Sequence, residues 1–347
     1  MVPGALQGGC ASGGLSAEES RVVEVSVVVP ARNEAPRIQA CLRSLLAQDY
    51  AREAYEVIVV DDASTDRTSE VAAGFGVRVL RCRGASSSGG AVARNLGVAS
   101  ARGEVVAFTD ADCVAEPDWL RKLVAPFKDL TVGVCGGDVI GVGESLVARS
   151  LERSGAFRLE SLWRAQPWPI FVTANVAYRK TVFHVLGGFD PSLRAASDLE
   201  MTWRVARDGR FRLVCCPEAV VYHQHPATVR GLYEQWRGYG AARARVVAKL
   251  GGRAAVLREG LHQGGVALSA SVASLLRVLR RLAAVGRGER GYPVFPFLDA
   301  VRAVGFATGY WVATFGWSPG GSWRERASEV HAGPSRVPWR AGSEELR

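Results

Sequence analysis

The sequence predicts an α/β fold, with a mostly parallel sheet flanked by helices and a C-terminal helical extension. Between residues 25 and 130, strand and helix signals alternate regularly, as expected when helices connect parallel strands. The segment Val57–Val60 is an unbroken apolar run, which is typical of a strand buried on both faces. The length of 347 residues suits one large domain with an appendage.

The elements can be assigned in order along the chain. The first strand is Val25–Val29, and the apolar side chains after Pro36 recur at helical spacing, at Ile38, Cys41, Leu42, Leu45 and Leu46. Three more strands are predicted at Val57–Val60, Val77–Cys82 and Val105–Thr109, with a Gly/Ser loop at Gly84–Gly90. Residues 131–225 are less regular, with a strand near 132–142, a long helix near 145–164 and a segment at Thr173–Arg179. From residue 226 the chain is helical in character and rich in arginine.

Charge is distributed unevenly along the chain. The formal net charge is +9, but residues 1–225 carry 25 Lys and Arg against 26 Asp and Glu, whereas residues 226–347 carry 18 against 8. With 48% hydrophobic and 22% charged residues the chain can bury a sizeable core, which excludes a mostly disordered protein. The positive excess predicts an anionic partner for the last third of the chain.

Two of the predicted strands end in paired carboxylates. Asp61 and Asp62 follow the second strand, and Asp110 and Asp112 follow the fourth. Ligands of open α/β sheets bind beyond the carboxyl ends of the strands, so topology brings these groups to one edge. A single aspartate there is explained by helix N-capping, as we expect for Asp66, but paired carboxylates repel one another unless a cation lies between them. Mg²⁺ takes a few carboxylates and completes its coordination with substrate phosphates, so the pattern indicates a metal-diphosphate site.

Four motifs in order resemble those of the family 2 glycosyltransferases, which have the GT-A fold, the Rossmann-like fold of nucleotide-diphospho-sugar transferases. The motifs are VSVVVPARNEAPRIQACLRSLL, VIVVDDASTD, ARNLGVASARGEVVAFTDADC, and GGFD with SDLEMTWR, and they span roughly residues 24–225. The resemblance implies transfer of a sugar from a nucleotide-diphosphate-sugar donor to an acceptor hydroxyl, with inversion at the anomeric carbon.

The resemblance also implies which residues bind the donor. Asp62 matches the aspartate that accepts a hydrogen bond from the donor's base, and Asp61 supports it. Arg94 matches an arginine near the donor, where a guanidinium suits ribose or phosphate oxygens. Asp110 and Asp112 match the DxD motif, with Asp110 facing the ribose and Asp112 as the main ligand of a divalent metal, Mg²⁺ or Mn²⁺. In the family the first loop lines the nucleotide pocket, and here it contributes Pro30, Arg32 and Glu34.

On the acceptor side, Asp198 matches the general base of the family. Inversion requires in-line attack, so a base must lie near the acceptor hydroxyl. The family usually has glutamate before this aspartate, a side chain that helps to position the acceptor, and this chain has Ser197 there. The alternative is that Asp198 is only an N-cap of the helix that follows. Further resemblances on the acceptor side are Asn175 in the segment Thr173–Asn175, and Gly188 and Asp190 in the turn Gly187–Asp190.

A histidine is expected as a further metal ligand. Members similar to this chain often carry one after the last strand of the catalytic domain, and His223 matches that position. His225 is a second candidate, and we expect the two side chains to face opposite sides of a strand.

The C-terminal third is predicted to contact a membrane surface. Gly231–Gly240 resembles the amphipathic segment that many family members place over the active site, with an ordinary solvated basic helix as the alternative. The two apolar stretches that follow, Val266–Leu276 and Ala303–Trp317, fall short of the ~20 apolar residues that span a bilayer. Arginines beside aromatic residues favour helices that lie in the membrane interface. Membrane insertion and packing of a helical pair against the catalytic domain are the alternatives.

These patterns predict four parts. They are a disordered N-terminus at residues 1–22, a catalytic domain at 23–225, a basic, apolar, membrane-associated helical extension at 226–318, and a disordered tail at 319–347. The first residues lack the basic start and apolar run of a secretory signal, and seven cysteines without a framework spacing favour a reducing compartment. We expect a cytoplasmic enzyme, peripheral at the inner face of the cell membrane, that acts on a glycan or lipid-linked acceptor and has no nucleic acid partner.

Three other classes of protein share part of this pattern. A dinucleotide-binding dehydrogenase carries GxGxxG after its first strand, where this chain has Pro30-Ala31-Arg32-Asn33-Glu34. A nucleotidyltransferase usually has a lysine-bearing glycine loop there, and all four lysines of this chain lie elsewhere. A non-catalytic protein with this fold that holds a membrane through its basic extension is the third, and the presence of all the strand-end carboxylates together with Asp198 argues against it.

Overall fold

The computed structural model of the protein describes residues 23–84, 89–164, 170–193, 195–285 and 294–315. The two segments predicted to be disordered, residues 1–22 and 319–347, lie outside these ranges. So does the middle of the predicted Gly/Ser loop, residues 85–88.

The described residues contain eight strands, which form one sheet. They are β1 (Val25–Ala31), β2 (Tyr55–Asp61), β3 (Arg78–Arg81), β4 (Val105–Phe108), β5 (Cys113–Ala115), β6 (Val132–Val142), β7 (Val176–Arg179) and β8 (Arg212–Gln224). Their order across the sheet is β3-β2-β1-β4-β7-β6-β8-β5. The first four in this order are parallel, whereas β7 runs antiparallel to β4 and β6, and β5 runs antiparallel to β8. The predicted α/β fold is confirmed, with a sheet that is mixed in its second half.

Ten α-helices lie within the described ranges. They are α1 (Ile38–Leu46), α2 (Thr68–Ala73), α3 (Gly90–Ser100), α4 (Trp119–Val124), α5 (Leu146–Ser154), α6 (Leu159–Arg164), α7 (Lys180–Leu186), α8 (Ser197–Asp208), α9 (Val229–Val285) and α10 (Val294–Phe315). The single helix predicted near 145–164 is two helices, because Gly155 ends α5 in the left-handed conformation, with φ 60°. Gly252, with φ 69° and ψ −172°, divides α9 into two helical segments that meet at a kink.

The central strands are mostly apolar because the sheet is covered on both faces. Side chains alternate between the faces, so Val27 and Val29 pack with α1 and α4, while Val28 packs on the other side with Phe108 and Phe183. Each of these fully buried valines contributes roughly 1.5–3 kcal/mol to folding. The continuous apolar runs in the sequence therefore reflect two hydrophobic layers, and they leave the strand ends as the place for polar groups.

The helical extension packs as a pair of helices. A Cβ atom at Gly240 of α9 would lie 1.9 Å from the carbonyl oxygen of Phe306 in α10, so the two backbones touch there. Tyr310 of α10 is fully buried, and its hydroxyl donates to the carbonyl oxygen of Val256 (3.2 Å). The pair also contacts the catalytic domain, because Leu298 of α10 is buried in a cluster with Val147 and Leu151 of α5. The predicted alternative of a packed helical pair is therefore observed.

Across the described ranges, no helix has an apolar stretch long enough to cross a membrane.

The close contact between α9 and α10 predicts opposite effects of two neighbouring substitutions. Gly240→Ala drives a methyl group into the carbonyl of Phe306, which should lower the free energy of unfolding by about 1–3 kcal/mol. Gly238→Ala, two residues earlier, meets no atom within 4 Å and should raise it by up to about 1 kcal/mol, because alanine favours a helix. Thermal unfolding followed by circular dichroism measures both. Equal effects of the two variants would contradict the glycine contact.

Candidate active site

The loops that follow β1 and β2 are hydrogen-bonded to each other. Asn33, which has a positive φ of 56°, accepts at Oδ1 a hydrogen bond from the N–H of Thr65 (2.8 Å). The hydroxyl oxygens of Ser64 and Thr68 accept from the N–H groups of Asn33 (3.0 Å) and Glu34 (2.8 Å). Asparagine visits the left-handed region more readily than most residues, so it suits this turn. These bonds fix the two loops as one rim at the strand ends.

Asp61 and Asp62 are both buried, and they hold different neighbours. Asp61 accepts hydrogen bonds from the N–H of Ser64 (3.0 Å) and from the hydroxyl of Ser69 (2.5 Å). Asp62 accepts at Oδ2 a hydrogen bond from the N–H of Gly89 (3.0 Å), the residue just before α3. Asp61 therefore holds its own loop together, which agrees with its predicted supporting role. Asp62 joins that loop to the start of α3.

A cleft of about 270 Å³ adjoins these loops at the ends of β2 and β3. That volume is slightly below the range of pockets that enclose a whole small-molecule ligand. Of the other residues predicted in the first loop, Pro30 is half-buried inside β1 and Arg32 is exposed. The residues that line the cleft are Asp61, Ala63, Ser64, Thr65, Asp66, Ser69, Glu70, Arg81, Cys82 and Gly84.

Arg94 of α3 reaches the first aspartate of the DxD motif. Its Nη2 lies 3.5 Å from Oδ1 of Asp110. Burial raises the pKa of Asp110 and the charge of Asp112 adds to the rise, while Arg94 and His223 oppose it without cancelling it. The Nε of Arg94 is buried and has no hydrogen-bond partner within the described part of the chain. A positive charge close to Asp110, in addition to that of Arg94, would thus stabilise its ionised carboxylate.

Strand β8 brings His223 beside the second aspartate of the motif. β5 and β8 pair with Cys113 opposite His223, and Nε2 of His223 lies 3.5 Å from Oδ2 of Asp112. The Nδ1 of His223 is buried and unpaired among the described residues. The structure therefore brings together two of the three side chains predicted to hold a metal, Asp112 and His223.

The prediction that His223 and His225 face opposite sides of a strand is wrong. Residues two apart on a strand share a face, and the centroids of the two rings are 5.6 Å apart. His225 is buried, and its Nε2 fills the space beside Gly141 that a side chain would occupy. Burial, aided by His223, lowers the pKa of His225 to about 4, so this imidazole is neutral at physiological pH. Its contacts are those of a packed side chain.

Glu34 is a further carboxylate at this edge of the sheet. Burial raises its pKa, and the charges of Asp112 and Asp110 add to the rise, although Arg37 lies 2.6 Å away and opposes it. The predicted donor-side residue Glu34 thus lies within electrostatic reach of both aspartates of the DxD motif. Three carboxylates in reach of one another make this edge strongly attractive to a cation.

Asp198 lies in the first turn of α8. The helix begins at Ser197, after Ala196, which has a positive φ of 60°. Oδ2 of Asp198 accepts a hydrogen bond from the N–H of Thr173 (3.2 Å), and Oδ1 accepts one from the N–H of Leu199 (2.9 Å). The alternative of a simple N-cap is wrong, because Ala196 occupies the N-cap position.

The first segment of α9 lays an aromatic cluster against the site, and this cluster was not predicted. The ring centroids of Phe157, Trp236 and Tyr239 are 5.7 to 6.2 Å apart. Phe157 also lies 6.1 Å from the ring of His223. This placement agrees with the expectation that the segment Gly231–Gly240 covers the active site.

Tyr239 connects the two halves of the site. Burial of its hydroxyl raises its pKa well above the ordinary value, and the charges of Asp110, Asp198 and Asp112 raise it further. The hydroxyl must therefore lie within electrostatic reach of the DxD motif and of Asp198 together. In the sequence, only the alternation of aromatic and glycine residues in this segment pointed to Tyr239. That pattern did not indicate which residues Tyr239 lies close to.

The side chain of Asn175 is buried and hydrogen-bonded within the protein. It is 1% exposed, and its Nδ2 donates to the carbonyl oxygens of Asp138 (2.7 Å) and Ala219 (2.8 Å). Its Oδ1 accepts from Nε1 of Trp119 (2.8 Å). Both amide atoms are therefore engaged within the protein, and a direct contact of Asn175 with an acceptor stays a prediction.

Gly188 and Asp190 are also held by the protein. A Cβ atom at Gly188 would lie 2.4 Å from Oδ1 of Asn95, so the turn packs directly on α3. Oδ1 of Asp190 accepts from the N–H of Ser192 (2.8 Å), and Oδ2 lies 2.6 Å from Nζ of Lys249 in α9. A direct contact of these two residues with an acceptor stays a prediction.

The side chains at the DxD motif suit a divalent cation. Carboxylate oxygen and imidazole nitrogen are ligands of Mn²⁺, and Mg²⁺ takes the oxygens. Within the described ranges, no cluster of three or more His, Cys, Asp or Glu side chains has the spacing of a complete metal site. A cation held by Asp112, His223 and Asp110 would therefore draw its remaining ligands from diphosphate and water, as Mg²⁺ commonly does.

Comparisons with known proteins agree on one family. Residues 26–187 match the family described as "Glycosyl transferase family 2". The chain is 30% identical over 205 residues to glycosyltransferase AglE of Haloferax volcanii, covering 57% of this chain and 66% of AglE. It is 28% identical over 275 residues to the pre-mycofactocin glycosyltransferase of Mycobacterium tuberculosis, covering 76% of this chain and 55% of that protein. The chain thus spans less than two thirds of the length of these curated relatives.

Among solved structures, the mannosyltransferase PcManGT from Pyrobaculum calidifontis, in complex with GDP-Man and Mn²⁺, is similar to this chain. The TM-score is 0.58 at 24% identity, over 83% of this chain and 87% of that chain. At this identity the likeness concerns the fold alone. The fold of this chain is thus the GT-A fold. The match over residues 26–187 and the similarity to AglE support assignment to glycosyltransferase family 2.

The site predicts that metal affinity depends on Asp112 and His223. Asp112→Asn and His223→Ala should each weaken Mn²⁺ binding in the presence of UDP or GDP by on the order of tenfold, because each removes a ligand atom. Free Mn²⁺ measured by electron paramagnetic resonance gives the affinity. The matched control is Asp118→Asn, a carboxylate paired with Lys122 on α4. If all three variants bind Mn²⁺ like the wild type, the metal does not lie at this site.

Proposed function

We propose that this protein transfers a sugar from a nucleotide-diphosphate-sugar donor to an acceptor hydroxyl, with inversion at the anomeric carbon. One observation carries the proposal. In a chain that matches glycosyltransferase family 2, Arg94 and His223 lie 3.5 Å from Asp110 and Asp112 of the DxD motif, at the ends of the parallel strands. Inverting transfer needs a diphosphate site and a base within one cavity, on opposite sides of the reacting carbon.

The donor lies along the ends of the parallel strands in this proposal. Asp62 accepts a hydrogen bond from the base of the nucleotide, with Pro30, Arg32, Glu34 and Asp61 around it. Arg94 pairs with phosphate or ribose oxygens, and Asp110 faces the ribose. The buried, unpaired Nε of Arg94 supports this role, since it still lacks a hydrogen-bond acceptor among the described residues.

A divalent cation, Mg²⁺ or Mn²⁺, completes the donor site. Asp112 and His223 hold it, with Asp110 beside them. When bound, it neutralises the diphosphate and stabilises the departing nucleotide as a Lewis acid. The surplus of carboxylates over cationic side chains around Asp110 supports this assignment.

Asp198 acts as the general base. As the acceptor oxygen forms its bond to the anomeric carbon, the bond from that carbon to the diphosphate oxygen breaks, and the hydroxyl proton passes to the carboxylate of Asp198. Two backbone N–H groups, from Thr173 and Leu199, hold the carboxylate in one orientation. A carboxylate that is held in one orientation toward the bound acceptor hydroxyl takes up its proton efficiently.

The role of Asp198 predicts a separation of catalysis from binding. Asp198→Asn should lower the transfer rate by about 10²–10⁴-fold, because an amide cannot take the proton, while the affinity for nucleotide stays within about twofold. The control is Asp208→Asn at the other end of the same helix, where the carboxylate pairs with Arg210. Hydrolysis and transfer assays with UDP-, GDP- and dTDP-sugars, alongside calorimetric titration with the nucleotides, measure both quantities. Loss of nucleotide binding in Asp198→Asn would contradict the assigned role.

The same donor screen separates the alternative functions. A nucleotidyltransferase would release pyrophosphate from a nucleoside triphosphate, and a non-catalytic protein of this fold would bind nucleotide without turnover. Either outcome would replace the proposal.

We further propose that the acceptor is a glycan or a lipid-linked sugar at the cytoplasmic face of a cell membrane, where α9 contacts anionic lipid. The second segment of α9 supports this, because it carries exposed apolar side chains at helical spacing on one face. Exposed arginines, Arg258 and Arg277, flank the stripe, and helices with apolar and basic faces lie in membrane interfaces. The apolar stripe consists of Leu257, Leu261, Leu268, Val272 and Leu275.

The stripe predicts binding to anionic vesicles. Leu261→Glu with Leu268→Glu, at side chains that are 70% and 67% exposed, should reduce co-sedimentation with phosphatidylglycerol vesicles by about tenfold or more, since each leucine contributes roughly 1.5–3 kcal/mol when buried in lipid. The matched control is Leu130→Glu, which changes an 80% exposed leucine in the catalytic domain. Phosphatidylcholine vesicles should bind all variants weakly, because the basic flanks need anionic lipid. Unchanged sedimentation of the double variant would contradict membrane contact through α9.

A further inference from the structure

Lys249, in the first segment of α9, connects the helical extension to two parts of the acceptor side. Its Nζ lies 2.6 Å from Oδ2 of Asp190, in the turn after α7, and 2.6 Å from Oε1 of Glu200, in the first turn of α8. Burial lowers the pKa of Lys249, but the two carboxylates outweigh burial and hold that pKa above its ordinary value. Lys249 is therefore a permanent cation shared by two elements that are distant in sequence.

Glu200 makes this link difficult to break. Its side chain is fully buried, and its second oxygen, Oε2, lies 2.8 Å from Nη2 of Arg204. Arg204 in turn donates to the carbonyl oxygens of Leu186 (2.7 Å) and Gly188 (2.8 Å). A buried carboxylate that loses one of two cations is left with an unfavourable charge, so the whole group resists rearrangement.

Apolar packing reinforces the same contact. Val246, one turn before Lys249, is fully buried in a cluster with Leu199, Ile170 and Leu193. Leu199 is the residue after Asp198, and its N–H donates to the carboxylate of Asp198 (2.9 Å). One turn of α9 thus contacts α8 at the two residues that follow Asp198, through Val246 at Leu199 and through Lys249 at Glu200.

We propose that Lys249 is a positioning residue for Asp198, so that the helical extension forms part of the catalytic apparatus. The proposal rests on the proposed role of Asp198 as the base. Lys249 does not touch substrate. It fixes the first turn of α8 and the Gly187–Asp190 turn relative to each other, and it thereby sets the direction from which the carboxylate of Asp198 meets the acceptor hydroxyl.

Three variants of the full chain test the link. Lys249→Met removes the charge and keeps the length of the side chain, and methionine is accommodated because Lys249 is 41% exposed. Lys249→Arg retains the charge, and Arg245→Met removes an exposed charge one turn earlier on the same helix. Hydrolysis of UDP-GlcNAc and GDP-mannose with Mn²⁺ gives kcat and KM for whichever donor turns over. Amide hydrogen exchange across residues 197–204 reports the order of α8 without any substrate.

We expect Lys249→Met to lower kcat by about tenfold or more, since small misplacements of a catalytic group have large effects, with KM for the donor within about twofold of the wild type. Exchange across residues 197–204 should become faster by a similar factor, with Lys249→Arg closer to the wild type and Arg245→Met unchanged. An unchanged kcat in Lys249→Met, or exchange at 197–204 like that of the wild type, overturns the proposal. If the wild type hydrolyses no donor, the proposed function fails, and the exchange data still decide whether Lys249 orders α8.

Discussion

Repulsion among carboxylates at one edge of the sheet is the constraint on which this structure depends. Asp62, Asp110, Asp112, Asp198 and Glu34 belong to different turns and helix starts. The topology directs Glu34, Asp62, Asp110 and Asp112 to a common edge because the carboxyl ends of parallel strands meet there, whereas Asp198 lies at the start of α8. Few positive side chains oppose them. Burial first, and the charges of the neighbouring carboxylates second, raise the pKa values of Asp110 and Glu34, which is the electrostatic cost of this edge.

Backbone hydrogen-bond donors offset part of this electrostatic cost. Backbone N–H groups of Gly89, Thr173 and Leu199 point at Asp62 and Asp198, where they stabilise negative charge without adding a cation. Arg94 is the only guanidinium within 4 Å of Asp110 among the described residues. A catalytic domain with nearly balanced charge thus has a strongly negative site. Such a site is ready for a cation that arrives with its own anionic ligand, as a metal-bound diphosphate does.

The sequence was most informative where local pattern and burial coincide. β1, β2 and β4 are continuous apolar runs because both faces are covered, and the polar residues that interrupt those runs mark the strand ends, so local pattern alone places Asp62, Asp110 and Asp112 at the sheet edge. β8 was missed because its residues alternate in exposure and include Pro217 and Glu218, and its position depends on pairing with β6 and β5. The part played by Tyr239 and Lys249 depends on contacts between residues far apart in the chain, which no local pattern contains. The side-by-side placement of His223 and His225 was, by contrast, available from strand geometry alone.

The acceptor side was harder to predict than the donor side for the same reason. Asn175 lies in a motif whose family resemblance is clear, yet its three hydrogen bonds serve the joint between β6, β8 and α4. The turn Gly187–Asp190 likewise uses its carboxylate to bind Lys249. A motif can therefore be retained in a family because its residues hold the walls of a site together. The residues that contact the acceptor can then differ from one member to another.

The kink at Gly252 gives α9 two independent tasks within one helix. Residues before it, including Trp236, Val246 and Lys249, pack against the catalytic domain, whereas the apolar stripe lies entirely after it. A single backbone conformation that only glycine adopts easily joins the two segments. Substitutions in the exposed stripe can therefore change that surface while the buried contacts of the first segment with the catalytic domain are kept.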